Sequence, residues 1–333
     1  MALVFMDGFD ANDFSTKGYV SITGSQGVSS TTRYNSGLAL KLGTDSFGNW
    51  GSANRKFTAV NQIFMGLAVY NLTPGKAIIN LFGDNGTTQH LSLQTNANSQ
   101  LIVVCGSTTI ATSSSPYNWA IWHYVEISAT ISSTAGTVAV RVDGAMALSY
   151  TGNTKNGGTN NSIDMMEFGI NNGNNALFDD MYVLDGTGTT NNNFLGEITI
   201  QALFPTAAGS TTQLSPTGTA NNWDNVNDIP PNTNTYNAGS TTGYRDTYGM
   251  GDLPSTAVNV LAMQTTTMMK KLDAGTGMMK PALVAGASLY YGATQALSGS
   301  VVSYFDKFET NPATGSAWTQ ADINALELGA EIA

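Results

Sequence analysis

Phe178-Asp179-Asp180-Met181-Tyr182-Val183-Leu184-Asp185-Gly186 is the stretch on which the reading of this chain turns. Aromatic and β-branched residues alternate through it, and Asp-Gly closes it as a turn, so it reads as a strand. Strict alternation puts Asp179, Met181 and Val183 on one face and Phe178, Asp180, Tyr182 and Leu184 on the other. Both faces are largely apolar, which predicts a strand covered on both sides. A polar run without periodicity follows, Thr187-Gly188-Thr189-Thr190 and then Asn191-Asn192-Asn193. A second strand is expected over Glu197–Phe204, closed by Pro205. The spacing therefore predicts one domain over 1–190, a short linker, and a second domain over 191–333.

Working outward, the same grammar repeats. Alternating apolar positions predict strands at Met1–Phe9, Leu38–Leu42, Ile63–Tyr70, Ala77–Phe82, His90–Gln94, Leu101–Cys105, Trp119–Ile127, Thr137–Val142 and Ile163–Ile170. Gly83-Asp84-Asn85-Gly86 is a hairpin signal, and the Gly, Asn, Thr and Ser of 151–162 form a long loop. About a dozen short strands, with turn signals at intervals of about 8 to 12 residues, describe an all-β, antiparallel jelly-roll sandwich. No helix is expected before residue 318. In the second half, Val258–Met263, Ala282–Ala285, Ser288–Tyr291 and Val301–Phe308 read as strands, and Phe305-Asp306-Lys307-Phe308 echoes Phe178–Met181, which leaves a repeated sandwich open. Thr319-Gln320-Ala321-Asp322 is a capping-box variant. It predicts a terminal helix over 319–329 with Ile323, Leu326 and Ala330 on one face, packing with Trp318 on the sandwich.

Composition narrows the function classes. Of 333 residues, 41% are hydrophobic and 11% charged, and 36 are glycine. The charged share is well below the roughly 25% of ordinary soluble domains. The net charge of −10 comes without a basic stripe, so neither nucleic acid nor an anionic membrane surface is an expected partner. No apolar run reaches the ~20 residues of a membrane span. The apolar start, Met1–Met6, lacks a charged n-region and is too short for a signal peptide, so cytoplasmic synthesis is expected. Cys105, the single cysteine, reads as a buried inert thiol.

The order Trp122-His123-Tyr124-Val125-Glu126-Ile127, Gly136–Gly144 and Phe178–Leu184 resembles the laminin-G-like, concanavalin A-like lectin and glucanase family over residues 1–190. The start Val4–Asp10, the junction Phe194–Ile198 and the tail Asn311–Thr319 resemble bacteriophage virion proteins that carry this domain. The resemblance implies a structural component of a phage particle, as a tail, fibre or capsid-decoration subunit. Its partners would be other virion proteins and copies of itself. The alternative it implies is a carbohydrate-binding host-attachment protein with a surface glycan as ligand.

Catalytic and metal signals are thin. The Glu-x-Asp-x-x-Glu strand of retaining glycosidases on this fold does not occur, and Asp164 and Glu167 are three apart, on opposite faces of a strand. His90 and His123 read as satisfied structural histidines, with no third ligand at metal spacing. The expectation is a chain that is not an enzyme and holds no cofactor. Asp179 and Asp180 are candidate calcium ligands by analogy with related lectin-like domains. Against that, calcium takes six to eight oxygens, and the alternative is one inward Asp bonding loop amides and one solvated or interface Asp. Trp50, Tyr117 and Trp119 lie beside turns as aromatics for either sugar stacking or a protein interface. Residues 205–256 hold many turn formers, with Trp223, Ile229, Tyr236, Tyr244, Tyr248 and Met250 spaced through them. They are expected to be loose in an isolated subunit and anchored on a neighbouring one.

Overall fold

Every residue of the strand Ala176–Leu184 is buried in the computed structural model, which describes residues 2–11, 17–23, 25–34, 37–43, 51–169, 175–256 and 259–333. Strict alternation does not hold along it. Phe178 pairs with Val69 and Asp179 with Ala68, but Tyr182 pairs with Gly66 and Val183 with Met65, so one extra residue sits between Asp179 and Tyr182. Asp180 adopts φ +52° there, which marks a β-bulge. The bulge swaps the faces downstream: Phe178 and Val183 share one face, and Asp179 and Tyr182 share the other. This corrects the face assignment made from the sequence, because one left-handed residue is invisible to a period-two count.

Two compact units make up the described chain, dividing at Ile200/Gln201. The first contains two antiparallel sheets. The first sheet runs Ala145–Gly152, Gly136–Val142, His123–Thr130, Gln62–Tyr70, Ala176–Leu184, Ala39–Gly43, Ser25–Ser29, and Leu3–Asp7 pairs with the far half of Ala176–Leu184. The second sheet runs Thr108–Pro116, Gln100–Cys105, Thr88–Thr95, Ala77–Gly83, Ile163–Phe168, Ser52–Val60, Tyr19–Thr23. Leu40, Leu42, Met65, Leu67, Val125 and Ile127 of the first sheet are fully buried, as are Ile79, Leu91, Leu93, Leu101, Val103 and Met166 of the second. Phe178 and Phe168 bridge the two with ring centroids 5.5 Å apart, edge to face, the geometry the ring quadrupoles favour.

The central strands match the sequence reading to within a few residues. The strands that sequence periodicity overlooks are edge or half-exposed ones. Thr108–Pro116 is mostly exposed Thr and Ser, and Ala145–Gly152 alternates weakly. Trp119 precedes, rather than begins, the strand His123–Thr130.

The second unit has its own sheet, in the order Pro205–Thr212, Arg245–Met250, Glu327–Ile332, Met278–Ala285, Ser288–Tyr291, with Gln295–Ala296 beside Met278. Met263–Met269 pairs with Val302–Phe308 in a separate two-stranded ribbon, so the echo at Phe305–Phe308 marks no repeated sandwich. Leu283, Ala285, Trp318, Ile323 and Leu326 form this unit's own apolar cluster. The capping box is present, with Thr319 and Asp322 bonded reciprocally, but the helix covers only Gln320–Asn324. The expected helix over 319–329 is corrected, since Glu327–Ile332 is the central strand of the sheet. Gly329 permits that strand, because a Cβ there would drive into the Asp246 carbonyl of its neighbour. The predicted strand Val258–Met263 lies partly outside the described residues; the strand begins at Met263.

Residues 205–256 are not loosely held. Two of their strands lie in the sheet, and Ser215–Thr217 pairs with Tyr236–Ala238. Asp246 is wholly buried and organises the region. Its Oδ1 accepts the N–H groups of Gln213 (2.7 Å) and Leu214 (2.8 Å), and its Oδ2 accepts from Asn222 Nδ2 (2.6 Å) and the Tyr248 hydroxyl (3.1 Å). Buried amides and one carboxylate do here what an apolar core does elsewhere, which is why a count of apolar residues missed the order.

Candidate functional site

Three places in the first unit combine polar chemistry with defined geometry. The first is the outer face of the first sheet, where the bulge projects Asp179 and Tyr182. Tyr182 stacks beside Tyr124 at 6.5 Å, over Gly66, where any Cβ would strike both rings. The Tyr182 hydroxyl donates to Glu126 Oε1. Glu126 is wholly buried, and its Oε2 has no partner.

Residues 194–200 lie across this face as a strap. Leu195 N–H donates to Tyr182 Oη (3.2 Å), Gly196 N–H to Glu126 Oε1 (2.9 Å) and Ile200 N–H to Asp180 Oδ1 (2.7 Å). Arg33 donates to the Ile198 carbonyl at 3.0 Å and pairs with Glu197. Phe194 packs edge-on against Phe64 at 5.4 Å. The strand expected over Glu197–Phe204 is therefore absent, and its first half is a segment of the first unit without regular structure, held by side chains. Alternation could not say that side chains, rather than a neighbouring strand, would take up its backbone N–H groups.

Asp179 and Asp180 are both buried, so neither is the solvated acid of the sequence reading. Burial first, and the neighbouring Asp180 charge second, push Asp179 up to about 8. Burial pushes Asp180 up to about 6, against the Ile200 amide and Arg33, which favour its charged form. Arg33 Nη1 stands 3.7 Å from Asp180 Oδ2, and its guanidinium lies over Tyr124. The acids are thus bound to an amide and a guanidinium. Among the described residues, no group of three or more His, Cys, Asp or Glu side chains is disposed to hold a metal ion.

The second place is the turn from Tyr117 to His123. Trp119 is buried, 3% exposed, and its indole N–H donates to the Ser99 carbonyl at 3.1 Å. It packs against Tyr117 and His123, each with centroids 5.4 Å away. Trp119 therefore presents no open face, and Tyr117 is half-buried against it. Trp50 lies outside the described residues. His123 is satisfied: Nδ1 meets Asp143 Oδ2 at 2.7 Å and Nε2 meets the Asn118 carbonyl at 3.1 Å. His90 is not. It sits at a register slip between the strands Ala77–Gly83 and Thr88–Thr95, wholly buried, with neither ring nitrogen partnered. Burial lowers its pKa. Cys105 is half-buried rather than buried, and burial pushes its thiol up.

The third place is a polar row on the outer face of the second sheet. Asn54, Glu167, Asn80 and Ser92 stand opposite one another on four adjacent strands. Asn80 Nδ2 donates to Glu167 Oε2 at 3.1 Å, and Gln94 Nε2 to Ser92 Oγ at 3.0 Å. Asp164 is turned away to accept the Asn85 and Gly86 amides of the hairpin turn. No sequence motif announced this row, since its members come from four strands and meet only through register.

In the second unit, the six spaced apolar residues divide. Ile229 and Tyr244 are exposed, at 51% and 44%, while Trp223, Tyr236, Tyr248 and Met250 are half-buried. Tyr248 is tied inward to Asn237 and Asp246, and burial together with the Asp246 charge raises its hydroxyl pKa.

No protein-family model matches the chain, and no curated protein does. Solved structures with a similar fold include the cellulose-induced protein Cip1, at 12% identity and TM-score 0.42, covering 54% of this chain and 96% of that one. The alginate lyase Aly36B aligns at 13% identity and TM-score 0.38, covering 55% and 97%. Domain 4 of the arabinanase AbnA from Geobacillus stearothermophilus, in complex with arabinotriose, aligns at 16% identity and TM-score 0.40, covering 55% and 92%. The first unit, with its two antiparallel sheets, has the jelly-roll sandwich class expected from the sequence. Likeness at this level speaks to fold alone. One expectation is corrected: the similar solved structures include an enzyme, the alginate lyase, so the exclusion of catalysis drawn from a missing glycosidase motif does not stand. No helix among the described residues is long and apolar enough to cross a membrane.

Proposed function

We propose that the chain is a structural subunit of a bacteriophage particle, in which the lectin-like unit serves surface interaction and the second unit supplies contacts for assembly with other virion proteins and further copies of itself. One observation carries the assembly part of this reading. Among the described residues, ten large apolar side chains are exposed, and seven of them, Val226, Ile229, Tyr244, Leu261, Leu272, Met278 and Tyr291, belong to the second and smaller unit. On this reading, assembly covers the apolar surface that these side chains of the second unit expose in a free subunit. Low overall charge and the phage-like N-terminal, junction and tail sequences support the setting. The test is sedimentation of the purified chain together with mass spectrometry of particles. Assembly into a symmetric oligomer, lost in an Ile229→Asp/Leu272→Asp variant, is the expected result. A monodisperse monomer absent from particles overturns the reading.

A second reading, saccharide recognition by the first unit in host attachment, is favoured by the polar row. Asn54 and Glu167, half-buried on adjacent strands, supply an amide and a carboxylate, while Asn80 and Ser92 are buried behind them; an amide beside a carboxylate offers both a donor and acceptors, the chemistry that sugar hydroxyls require. Binding to a glycan array, weakened by Asn80→Ala or Glu167→Gln, tests it. An array on which the full chain binds no saccharide rules this reading out.

A further inference from the structure

We propose that Tyr70 and Trp122 form a stacking platform for the apolar face of a pyranose ring, at the end of the first sheet and on the opposite sheet from the polar row. The inference takes its ligand class from the saccharide reading above and assigns a separate surface to it. Tyr70 ends the strand Gln62–Tyr70, and Trp122 immediately precedes the strand His123–Thr130, its neighbour. Since His123 pairs with Val69, the next pair outward brings Trp122 beside Tyr70. Their centroids are 5.4 Å apart with an interplanar angle of 33°, so the rings form a shallow, angled surface rather than a T-shaped core pair. Val69 is wholly buried in the core, and alternation places Tyr70 on the other, outer face.

Both rings are half-buried, and their polar atoms are unengaged. Neither the Trp122 indole N–H nor the Tyr70 hydroxyl has a hydrogen-bond partner among the described residues, and neither is a buried orphan. Trp119, three residues earlier, is the contrast, because its ring is enclosed and its N–H is taken by Ser99. An aromatic face with an accessible donor at its edge can hold the C–H face of a sugar and one of its hydroxyls together.

The turn that carries Trp122 is fixed from three sides. Asn71 N–H donates to the Trp119 carbonyl at 2.7 Å and Tyr117 N–H to the Ser99 carbonyl at 3.0 Å. His123 ties the turn to Asp143 and to Asn118. The neighbouring Ile121 is 51% exposed. A ring held by this many bonds behind it loses little freedom when a ligand arrives, which raises affinity for a given contact area. Sequence reading chose Trp119 from this turn, and the structure moves the platform to Trp122.

The experiment uses the full chain on a glycan array, followed by calorimetry with the best saccharide found. Trp122→Ala and Tyr70→Ala are expected to weaken binding about tenfold or more, near 1.4 kcal/mol, while Trp122→Phe retains most of it. Melting curves of all three variants check that the fold is intact. Intrinsic fluorescence is expected to shift on saccharide addition in the wild type and not in Trp122→Phe. If the wild type binds and both alanine variants bind as well, the platform is overturned while saccharide recognition stands. If the wild type binds no saccharide, both fail.

Discussion

Tyr182 donates its hydroxyl to Glu126 in the interior of the first unit, and the same carboxylate oxygen takes the backbone N–H of Gly196 from the strap. One buried acid thus joins a central strand to the segment that leads to the second unit. Burial and the Glu126 charge raise the Tyr182 hydroxyl far above its ordinary range, so it stays a donor at every accessible pH.

Replacing Tyr182 with Phe leaves Glu126 buried with one donor fewer. The expected loss of stability is about 1–3 kcal/mol, the desolvation cost of an unmade hydrogen bond to a charged group. Urea unfolding followed by near-ultraviolet circular dichroism measures it. Loss of protection at residues 194–200 by hydrogen exchange is expected in the same variant.

Asp179 is predicted to make the first unit less stable as pH rises. Its folded pKa, about 8, lies above the unfolded value of about 3.9. Between those pH values the unfolded chain has released a proton that the folded chain keeps, so this group's contribution falls with pH until about 8. Asp179→Asn keeps an acceptor for the Asp180 amide and removes the titration. The variant should match the wild type near pH 4 and exceed it increasingly towards pH 8. Urea midpoints from pH 5 to 9 that run parallel for the two proteins would count against the assignment.

His90 runs the other way. Burial lowers its folded pKa, with Lys155 lowering it further and Asp84 and Asp164 raising it. Its contribution is fully present above the unfolded value of about 6.5 and is lost as pH falls below that. His90→Phe is expected to lessen the acid sensitivity between about pH 6.5 and 5, measured as melting temperature against pH.

Trp119 and Trp122 should separate cleanly. Trp119→Ala removes an enclosed ring and is expected to cost about 3–5 kcal/mol of stability, whereas Trp122→Ala is expected to leave stability within about 1 kcal/mol. Chemical denaturation of the two variants side by side checks this.

Asp246→Ala withdraws one acceptor group from four donors at once. Cleavage of residues 205–256 by a dilute protease is expected to accelerate at least tenfold in the variant. Unchanged cleavage would mean that the strands alone hold the segment.

The sequence alone determined the fold class of the first unit. Its central strands are buried on one or both faces, so their apolar period is strong, and turn residues punctuate them. It also located the capping box at Thr319. The tertiary structure decided what depends on register and on single backbone angles. The bulge at Asp180 turned Tyr182 toward Glu126. Pairing across four strands assembled Asn54, Glu167, Asn80 and Ser92 from sites far apart in the chain. Enclosure took Trp119 inside and left Trp122 half-exposed, although the two tryptophans look alike in sequence. Buried polar contacts around Asp246 ordered a segment whose composition reads as loose. Local pattern records which residues want to leave water; which neighbour then satisfies their hydrogen bonds is settled only when distant strands meet.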